Sequence, residues 1–456
     1  MKDTSEIYKE LIDNYSSRAQ PIEIDFQKLI SWKKKGDQLT HQLHPYPAKL
    51  LPHIAHFFVH AKCLSKKHSI VLDPFAGTGT VALEASIAGH IPYIADANPL
   101  ALLISRVKTH PYDELELATE LHAILRRAKK YKKAPIIPIV NSDHWYNKKT
   151  KTELEIILRS IKETPNQQIK DFFLVCFSAT ARKLSYCDPT ISVPVKLREK
   201  STFTESTNEK IRQYIKKIES TNTQTQFKDT CLQNILRVTE ANSEHKTRKM
   251  CVTVGNDARN LTSPKDSTRR LRSGSIPLIV TSPPYGSAQK YIRASSISLN
   301  WLEFASPSEL TQLESVSIGR EHLPGIRQDS NKTSNLPSEF NELIELVSST
   351  NTLRAKIAKK YLEEIDEAVG EMSRVLAPSG VAVIVIGNNS VCGHPLRNDK
   401  FLAQSFTKHG MKLELHLIDT INSRGLMTKR NRTASVISRE SVLVFRKPES
   451  KCSKQN

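Results

Sequence analysis

Long apolar runs, cysteine clusters and aromatic residues are scarce in this sequence. Because no run of about eighteen apolar residues occurs and the first residues lack an apolar signal core, we expect neither a membrane span nor secretion, and predict a cytoplasmic protein. The seven cysteines stand singly, without a CxxC pair or a Cys/His cluster at metal-ligand spacing. This scatter argues against disulfides and predicts that no metal is bound.

Acidic residues are also few in comparison with basic ones. Lysine and arginine number 67 against 47 for aspartate and glutamate, which gives a formal net charge of +20. Such an excess favours a polyanionic partner, and nucleic acid is the most common one. With 456 residues, the chain is about three times the usual domain size and can bury a large core with a second region beside it.

Apolar, β-rich segments bounded by turn residues predict seven strands, with helical patterns between several of them. This alternation indicates an α/β fold with a Rossmann-like, seven-stranded mixed sheet. The last two strand candidates are joined by a polar segment without a long helical pattern, so we expect an antiparallel C-terminal hairpin. The strand candidates are 69–73, 91–96, 251–255, 277–281, 381–387, 413–419 and 441–445.

A long basic segment interrupts this alternation. Residues 101–250 contain helical patterns joined by basic loops, so we predict a mainly helical insert between the two halves of the α/β domain, 1–100 and 251–447. Residues 448–456 are expected to form a disordered tail. The insert is the candidate recognition region for a nucleic acid, and its densest basic run supplies predicted phosphate contacts at Arg126, Arg127, Lys129 and Lys130.

A glycine-rich turn follows the first predicted strand. The sequence DPFAGTG, from Asp73 to Gly79, places a carboxylate at the end of a strand, then a turn, then the start of a helix. A ligand can approach such a backbone closely. The spacing is not that of GxGxxG, and the acid would repel a pyrophosphate while suiting a ligand that carries an ammonium group, such as S-adenosylmethionine.

Acidic residues also follow the next two predicted strands. Asp96 is placed to accept hydrogen bonds from both hydroxyls of a ribose, and Asp257 could accept one from an adenine amino group. Each acid alone would be explained equally well as a helix cap. Their recurrence at three successive strand ends, counting Asp73, favours a cofactor site.

The fourth predicted strand ends in a rigid turn, Ser282-Pro283-Pro284-Tyr285. Each proline fixes its own φ and has no N–H, so carbonyl groups can point into a pocket beside the Ser282 hydroxyl and the Tyr285 ring. Such a pocket suits an exocyclic amine on a planar base, because two acceptors can take its protons while the ring stacks. Alone, the segment could also be a polyproline turn at a strand end.

Together, these motifs resemble those of the amino-group DNA methyltransferases, in particular the kind with TSPPY that usually modifies the N4 atom of cytosine. Residues 41–50 also resemble the segment that packs over the methionine end of the cofactor in this family. The resemblance implies S-adenosyl-L-methionine as the cofactor, double-stranded DNA as the partner and flipping of the target base. It further implies a restriction–modification system, which allows a cognate restriction endonuclease as another partner.

The resemblance also implies roles for particular residues. The cofactor is expected to contact Tyr46, Pro47, Asp73, Phe75, Gly77, Thr78, Gly79, Asp96, Asn98 and Asp257. The catalytic step is expected to use Ser282, Pro283, Pro284 and Tyr285. Arg293, in the segment after the catalytic turn, is expected to contact DNA.

Other functions compete with this interpretation. Adenine-N6 methylation shares the geometry, although those enzymes more often carry aspartate at the position of Ser282. Methylation at cytosine C5 needs a thiolate, usually in a Pro-Cys pair that this chain lacks, and RNA or protein-glutamine methyltransferases usually present Asp or Asn before the prolines. A catalytically inactive nucleic-acid-binding protein would explain the charge equally well, but it would have no reason to keep both motifs.

Overall fold

The computed structural model describes residues 2–33, 38–46, 49–286, 290–322, 336–420 and 439–449, so the predicted tail 448–456 falls mainly outside the described residues. The helices are α1 Ser5–Arg18, α2 Phe26–Leu29, α3 Pro52–Val59, α4 Thr80–Ile87, α5 Pro99–Thr109, α6 Glu114–Lys130, α7 Ser142–Trp145, α8 Lys148–Lys162, α9 Gln167–Lys183, α10 Glu205–Ser220, α11 Thr223–Glu244, α12 Tyr291–Trp301, α13 Leu310–Val316, α14 Ser338–Thr350, α15 Thr352–Val375 and α16 Asn398–Lys408, with a 3₁₀ turn at Leu39–Gln42. The strands are β1 Ile22–Ile24, β2 Ile70–Asp73, β3 Ile91–Ile94, β4 Val252–Thr253, β5 Thr262–Ser263, β6 Asp266–Arg270, β7 Ile276–Thr281, β8 Leu376–Gly387, β9 Asn389–Val391, β10 His394–Leu396, β11 Lys412–Thr420 and β12 Arg439–Arg446.

The main sheet has eight strands in the order β1-β11-β12-β8-β7-β2-β3-β4. Strand β12 runs antiparallel to both of its neighbours, β11 and β8, whereas the other neighbouring pairs are parallel. The predicted α/β fold, mixed sheet and antiparallel C-terminal pair are therefore confirmed. The expected number of seven strands is one too few.

The additional strand is β1, at the edge of the sheet beside β11. It is only three residues long, and Ile22 pairs with Leu417 while Ile24 pairs with Asp419. A segment this short carries too few residues for an alternating pattern to be recognised in the sequence. The seven segments that were predicted as strands all lie in the main sheet.

Strand β7 illustrates how the sheet is covered on both faces. Leu278 and Val280 belong to the same core as Phe57 of α3, whereas Ile279 packs in the core that contains Leu362 of α15. Alternate residues of a strand point to opposite faces, so an almost wholly apolar strand indicates a sheet buried on both sides. The sequence of β7 thus accounts for its central position.

The direction of the strand order reverses at β2, which lies between β3 and β7. The chain continues from β2 to β3 on one side, and it reaches β7 on the other side only after the helical segment. In open α/β sheets such a reversal leaves a crevice outside the carboxyl ends of the strands, where ligands bind. The two sequence motifs follow β2 and β7, so both of them border this crevice.

The predicted insert is helical and runs from α5 to α11. Its core also includes α12, since Leu299 and Trp301 belong to the same cluster of buried side chains as Phe172 of α9. The Trp301 indole nitrogen donates a hydrogen bond of 3.0 Å to the Tyr146 hydroxyl. The helical region therefore packs as one unit with the helix that follows the proline turn.

A buried carboxylate fastens the N-terminal segment to α4. Glu84 accepts hydrogen bonds from Lys33 and His41, each 2.8 Å long, and from His56 at 2.9 Å. Burial alone would raise the pKa of Glu84, but the hydrogen bonds from His41 and His56 hold this pKa well below its ordinary value. These contacts fix the chain just before Tyr46, which lies at the crevice.

The two glycines of DPFAGTG differ in their surroundings. Both have a left-handed backbone, with φ of +48° at Gly77 and +69° at Gly79. A Cβ on Gly79 would lie 2.6 Å from the Ser105 Oγ and 3.0 Å from the Ser105 Cα, whereas a Cβ on Gly77 would meet nothing within 4 Å. Gly79 therefore allows the start of α4 to pack closely on α5.

This contrast predicts different costs for two similar substitutions. Gly77→Ala should lose about 1–2 kcal/mol of unfolding free energy, because only the left-handed backbone is strained. Gly79→Ala should lose about 1–3 kcal/mol more, since Ser105 must also move. Urea unfolding followed by circular dichroism measures both, and equal losses would contradict the close packing of α4 on α5.

Candidate active site

A cavity with about 710 Å³ of empty space, including the part open to solvent, lies at the crevice. Several residues around it were not assigned from the sequence, among them Tyr291 and Ile292 at the start of α12 and the segment Val316 to Ile318. Pro47 lies outside the described residues. Five other predicted residues do not line the cavity, namely Asp73, Thr78, Gly79, Pro283 and Tyr285. The predicted residues that line the cavity are Tyr46, Phe75, Gly77, Asp96, Asn98, Asp257, Ser282 and Pro284.

Asp96 lies just beyond β3 and is held by backbone groups. Its carboxylate accepts 2.8 Å hydrogen bonds from the N–H of Gly77 and from the N–H of Asn98. Burial raises the pKa of Asp96 to about 6, and the two hydrogen bonds oppose that rise. The carboxylate faces the cavity in a fixed position and could accept further hydrogen bonds from a ligand.

Asp73 joins the two motifs directly. It ends β2, and its carboxyl group accepts a 2.6 Å hydrogen bond from the Thr281 hydroxyl at the end of β7. A second bond of 3.2 Å comes from the N–H of Phe75. With Asp73 only 3% exposed, burial raises its pKa to about 7. Asp73 thus lies behind the cavity wall and holds the first motif against the second.

Asp257 lines the cavity, but its charge is already compensated. Arg259 approaches it with two nitrogens, Nε to Oδ1 and Nη2 to Oδ2, both at 2.9 Å. The same guanidinium reaches Glu364 at 2.8 Å. A carboxylate oxygen can accept more than one hydrogen bond, so Asp257 could still accept one from an adenine amino group. That contact stays a prediction.

Asn98 ties three parts of the chain together at the cavity. Its side-chain oxygen caps α5 by accepting from the N–H of Leu100 at 3.1 Å. Its nitrogen donates to the hydroxyls of Tyr46 and Ser295, at 3.0 and 2.8 Å. Asn98 therefore holds the N-terminal segment and α12 at the cavity. This structural role is additional to the contact with a ligand that was predicted for it.

The proline turn is held by hydrogen bonds with residues of three other elements. The Tyr361 hydroxyl donates to the carbonyl of Pro284 at 2.8 Å, and the Asn389 amide donates to the carbonyl of Tyr285 at 2.9 Å. The Tyr285 hydroxyl donates to Glu440 at 2.8 Å and lies 3.1 Å from the Ser282 Oγ. These hydrogen bonds hold the backbone and the side chains of the turn in place.

Some of these partners were missed by the sequence analysis. Thr281 immediately precedes the turn, but its bond to Asp73 follows from the adjacency of β2 and β7. Glu440 and Asn389 come from strands more than a hundred residues further along the chain. No local pattern marks such partners, because only the tertiary fold brings them to the turn.

The predicted DNA contacts fall into two groups. Arg126, Lys129, Lys130 and Arg293 are exposed. Arg127 is instead turned inward, where it bonds the carbonyl of Ser160 through Nη2 at 2.9 Å and the carboxylate of Glu120 at 2.6 Å. These contacts tie α6 to α8, so Arg127 has a structural role that the basic run in the sequence did not reveal.

Two kinds of feature are absent from the described residues. No helix in that part of the chain is long and apolar enough to cross a membrane. Likewise, no group of three or more histidine, cysteine, aspartate or glutamate side chains among the described residues is arranged to hold a metal ion.

Comparison with known proteins supports the motif analysis. The chain is 25% identical over 394 residues to the Type II methyltransferase M.MvaI of Kocuria varians, and the match covers 82% of each chain. It is 30% identical over 105 residues to the Type II methyltransferase M.MjaII of Methanocaldococcus jannaschii, which covers 22% of this chain and 19% of that one. Both curated relatives are Type II methyltransferases.

Two further comparisons add little. No protein-family model matches the sequence. A solved structure, the rRNA methyltransferase aviRa of Streptomyces viridochromogenes, matches over 88% of each chain with 9% identity and a TM-score of 0.30. A score this low supports no conclusion about function, and the assignment of the fold rests on the strand order itself.

The buried carboxyl group of Asp73 predicts a dependence of stability on pH. Its pKa is about 7 in the folded protein against an ordinary value of 3.8, so between these values the folded state holds a proton that the unfolded chain has released. Its contribution to stability is therefore present below about pH 4 and is lost as the pH rises to about 7. Relative to Asp73→Asn, the wild type should lose on the order of 2 kcal/mol between pH 5 and pH 8.

Urea unfolding of both proteins at the two pH values measures this difference. Asp143→Asn provides the control, because Asp143 is an exposed acid in α7. Its unfolding free energy should change with pH as that of the wild type does. If Asp73→Asn also tracked the wild type, Asp73 would not be protonated in the folded protein.

Proposed function

We propose that the protein transfers a methyl group from S-adenosyl-L-methionine to the N4 amino group of cytosine in double-stranded DNA. The observation that carries this proposal is the crevice at the ends of β2 and β7, in which Gly77 and Asp96 from the first half of the chain lie around one cavity with Ser282 and Pro284 from the second. The similarity to M.MvaI over 82% of both chains supports it.

The cavity fits the proposed cofactor. Apolar side chains such as Phe75 and Ile292 line it together with the polar side chains of Asp96, Asn98 and Asp257, which is the mixed lining typical of small-molecule sites. The Asp96 carboxylate would accept hydrogen bonds from the ribose, Phe75 would contact an apolar face, and Asp257 would lie near the adenine. When bound, the cofactor supplies a methyl group with an electrophilic carbon, and the residues of the chain hold the reacting atoms in place.

The proposal assigns the binding of an exocyclic amine to the proline turn. Ser282 borders the cavity, and the proposal gives its oxygen and the Pro283 carbonyl the role of accepting the two protons of the amine. This directs the nitrogen lone pair away from the turn and stabilises the positive charge that grows on the nitrogen. The base would leave the duplex to reach this position and would stack on the ring of Tyr285.

The net charge of +20 and the exposed side chains of Arg126, Lys129, Lys130 and Arg293 support DNA as the partner. The proposal includes a role in a restriction–modification system, in which a cognate restriction endonuclease would cut the same unmodified sequence. The crevice and the charge support the transfer reaction and the DNA partner. The restriction–modification role rests on the resemblance of the motifs alone.

Product analysis tests the proposal. The purified protein is incubated with labelled S-adenosyl-L-methionine and DNA from a methylation-free host, and the digested nucleosides are separated. We expect N4-methylcytosine, and Ser282→Ala should slow single-turnover transfer by about tenfold to a hundredfold while cofactor affinity, measured by calorimetry, stays unchanged.

The outcomes of this experiment separate the competing functions. Label found only in N6-methyladenine would replace cytosine by adenine as the target. Cofactor binding without transfer to any base, or no cofactor binding at all, would favour a nucleic-acid-binding protein that has lost the activity. Transfer by Ser282→Ala at the wild-type rate would remove Ser282 from the mechanism.

The exposed basic residues of α6 predict a change in the salt dependence of DNA binding. Replacing Arg126, Lys129 and Lys130 by glutamine should lower the slope of log affinity against log salt by up to about 0.9 for each phosphate contact that is lost. Arg127→Gln is the matched control, because its side chain is bonded within the protein. It should keep the slope and instead lose about 1–3 kcal/mol of stability.

Fluorescence anisotropy with a labelled duplex, measured over a series of KCl concentrations, gives the slopes. An unchanged slope in the triple variant would place the end of α6 away from the DNA. A reduced slope in Arg127→Gln would show that the basic run acts as a whole, contrary to the structure.

A further inference from the structure

We propose that Glu440 is a positioning residue that, through the hydroxyl of Tyr285, turns the hydroxyl of Ser282 so that its lone pairs face the cavity. The inference rests on the proposed function and specifies how the site would select an amine. According to this inference, the Ser282 oxygen selects an amine because it can only accept hydrogen bonds on the side of the cavity. The orientation of the Ser282 hydroxyl is thus determined by a residue of β12, a strand that belongs to neither motif.

Three oxygen atoms form a chain behind the proline turn. The Glu440 Oε1 lies 2.8 Å from the Tyr285 hydroxyl, which lies 3.1 Å from the Ser282 Oγ. Glu440 is at the start of β12, where it pairs with Gly387 of β8 and Asp419 of β11. The antiparallel pair at the end of the chain thus places a carboxylate against the turn that follows β7.

The direction of these hydrogen bonds follows from counting protons. A carboxylate can only accept, so the single hydroxyl proton of Tyr285 is donated to Glu440. The Tyr285 oxygen then offers only lone pairs to Ser282, and Ser282 must donate its own proton to Tyr285. The Ser282 oxygen keeps its lone pairs for other partners. Because Ser282 lines the cavity, those lone pairs are available to the N–H groups of an amine.

A protonated Glu440 would reverse the chain. It could donate to Tyr285, which would donate to Ser282, and the Ser282 proton would then point elsewhere, including toward the cavity. A hydroxyl proton in that position would oppose the N–H of an amine and would suit a carbonyl oxygen instead. The charge on Glu440 therefore determines whether Ser282 presents an acceptor or a donor.

The surroundings of Glu440 make this change accessible to titration. Burial raises the pKa of Glu440, the negative charge of Asp419 raises it further, and the hydrogen bond from Tyr285 lowers it. On the same strand, Arg439 is paired with Glu23 at 3.0 Å. Loss of the carboxylate charge should therefore slow methyl transfer as the pH falls through this raised pKa.

The experiment compares Glu440→Gln, Tyr285→Phe and the double variant in single-turnover methyl transfer. Glu440→Gln keeps the shape of the side chain but brings an amide that can donate to Tyr285, and Tyr285→Phe keeps the ring for stacking. Each single variant should be slower by about tenfold or more, with unchanged affinity for the cofactor. The double variant should be no slower than the slower single variant, because both changes break the same chain.

The pH profile of the transfer rate provides a second readout, which a purely structural role would not move. The wild-type rate should fall on the acid side, and this fall should be absent from Glu440→Gln and from Tyr285→Phe. Glu414→Gln is the matched control. Glu414 lies in β11 of the same hairpin and accepts a 3.1 Å hydrogen bond from the hydroxyl of Tyr8 in α1, but it is not part of this chain of oxygens. It should keep both the rate and the profile of the wild type.

Three results would overturn the inference. The rate losses of the two single variants could multiply in the double variant, or the acid fall could persist in Glu440→Gln, and either result would mean that Glu440 does not act through Tyr285. Rates like that of the wild type in both single variants would have the same meaning. Failure of the proposed function is distinct, because the wild type itself would then transfer no methyl group to DNA.

Discussion

The hydrogen bond between Thr281 and Asp73 is the contact on which the arrangement of the crevice depends. It joins the ends of two parallel strands that lie 208 residues apart in the chain, and both of its partners are buried. Asp73 also receives the N–H of Phe75, while Thr281 is followed directly by Ser282. A shift of one strand against the other would therefore move the glycine turn relative to the proline turn.

How much of the structure the sequence predicts depends on how local the signal is. Seven strands were predicted because each has its own apolar pattern, and β1 was missed because Ile22–Ile24 is too short to show one. Residues such as Asp96 and Ser282 were predicted for the same reason, since each follows a strand within a recognisable motif. Their partners Glu440 and Asn389 were not found, because they approach from strands that are remote in the chain.

Charged residues illustrate a different limit of sequence reasoning. Arg126 and Arg127 are neighbours in one basic run, but successive positions of a helix point in directions about 100° apart, so one is exposed while the other ties α6 to α8. Similarly, Asp257 follows its strand as expected, but Arg259 two residues later compensates its charge. Composition predicts the kind of partner, whereas the packing of each side chain decides which charges can meet it.

The packing of α12 has a consequence for whether the helical region could be exchanged between related proteins. Trp301 is buried in the helical region, while Tyr291 at the other end of the same helix borders the cavity. The helical region is therefore not a module that could be exchanged as a separate piece. A chimera that received this region from a relative would need α12 from the same source, because Trp301 of α12 packs in the core of the region.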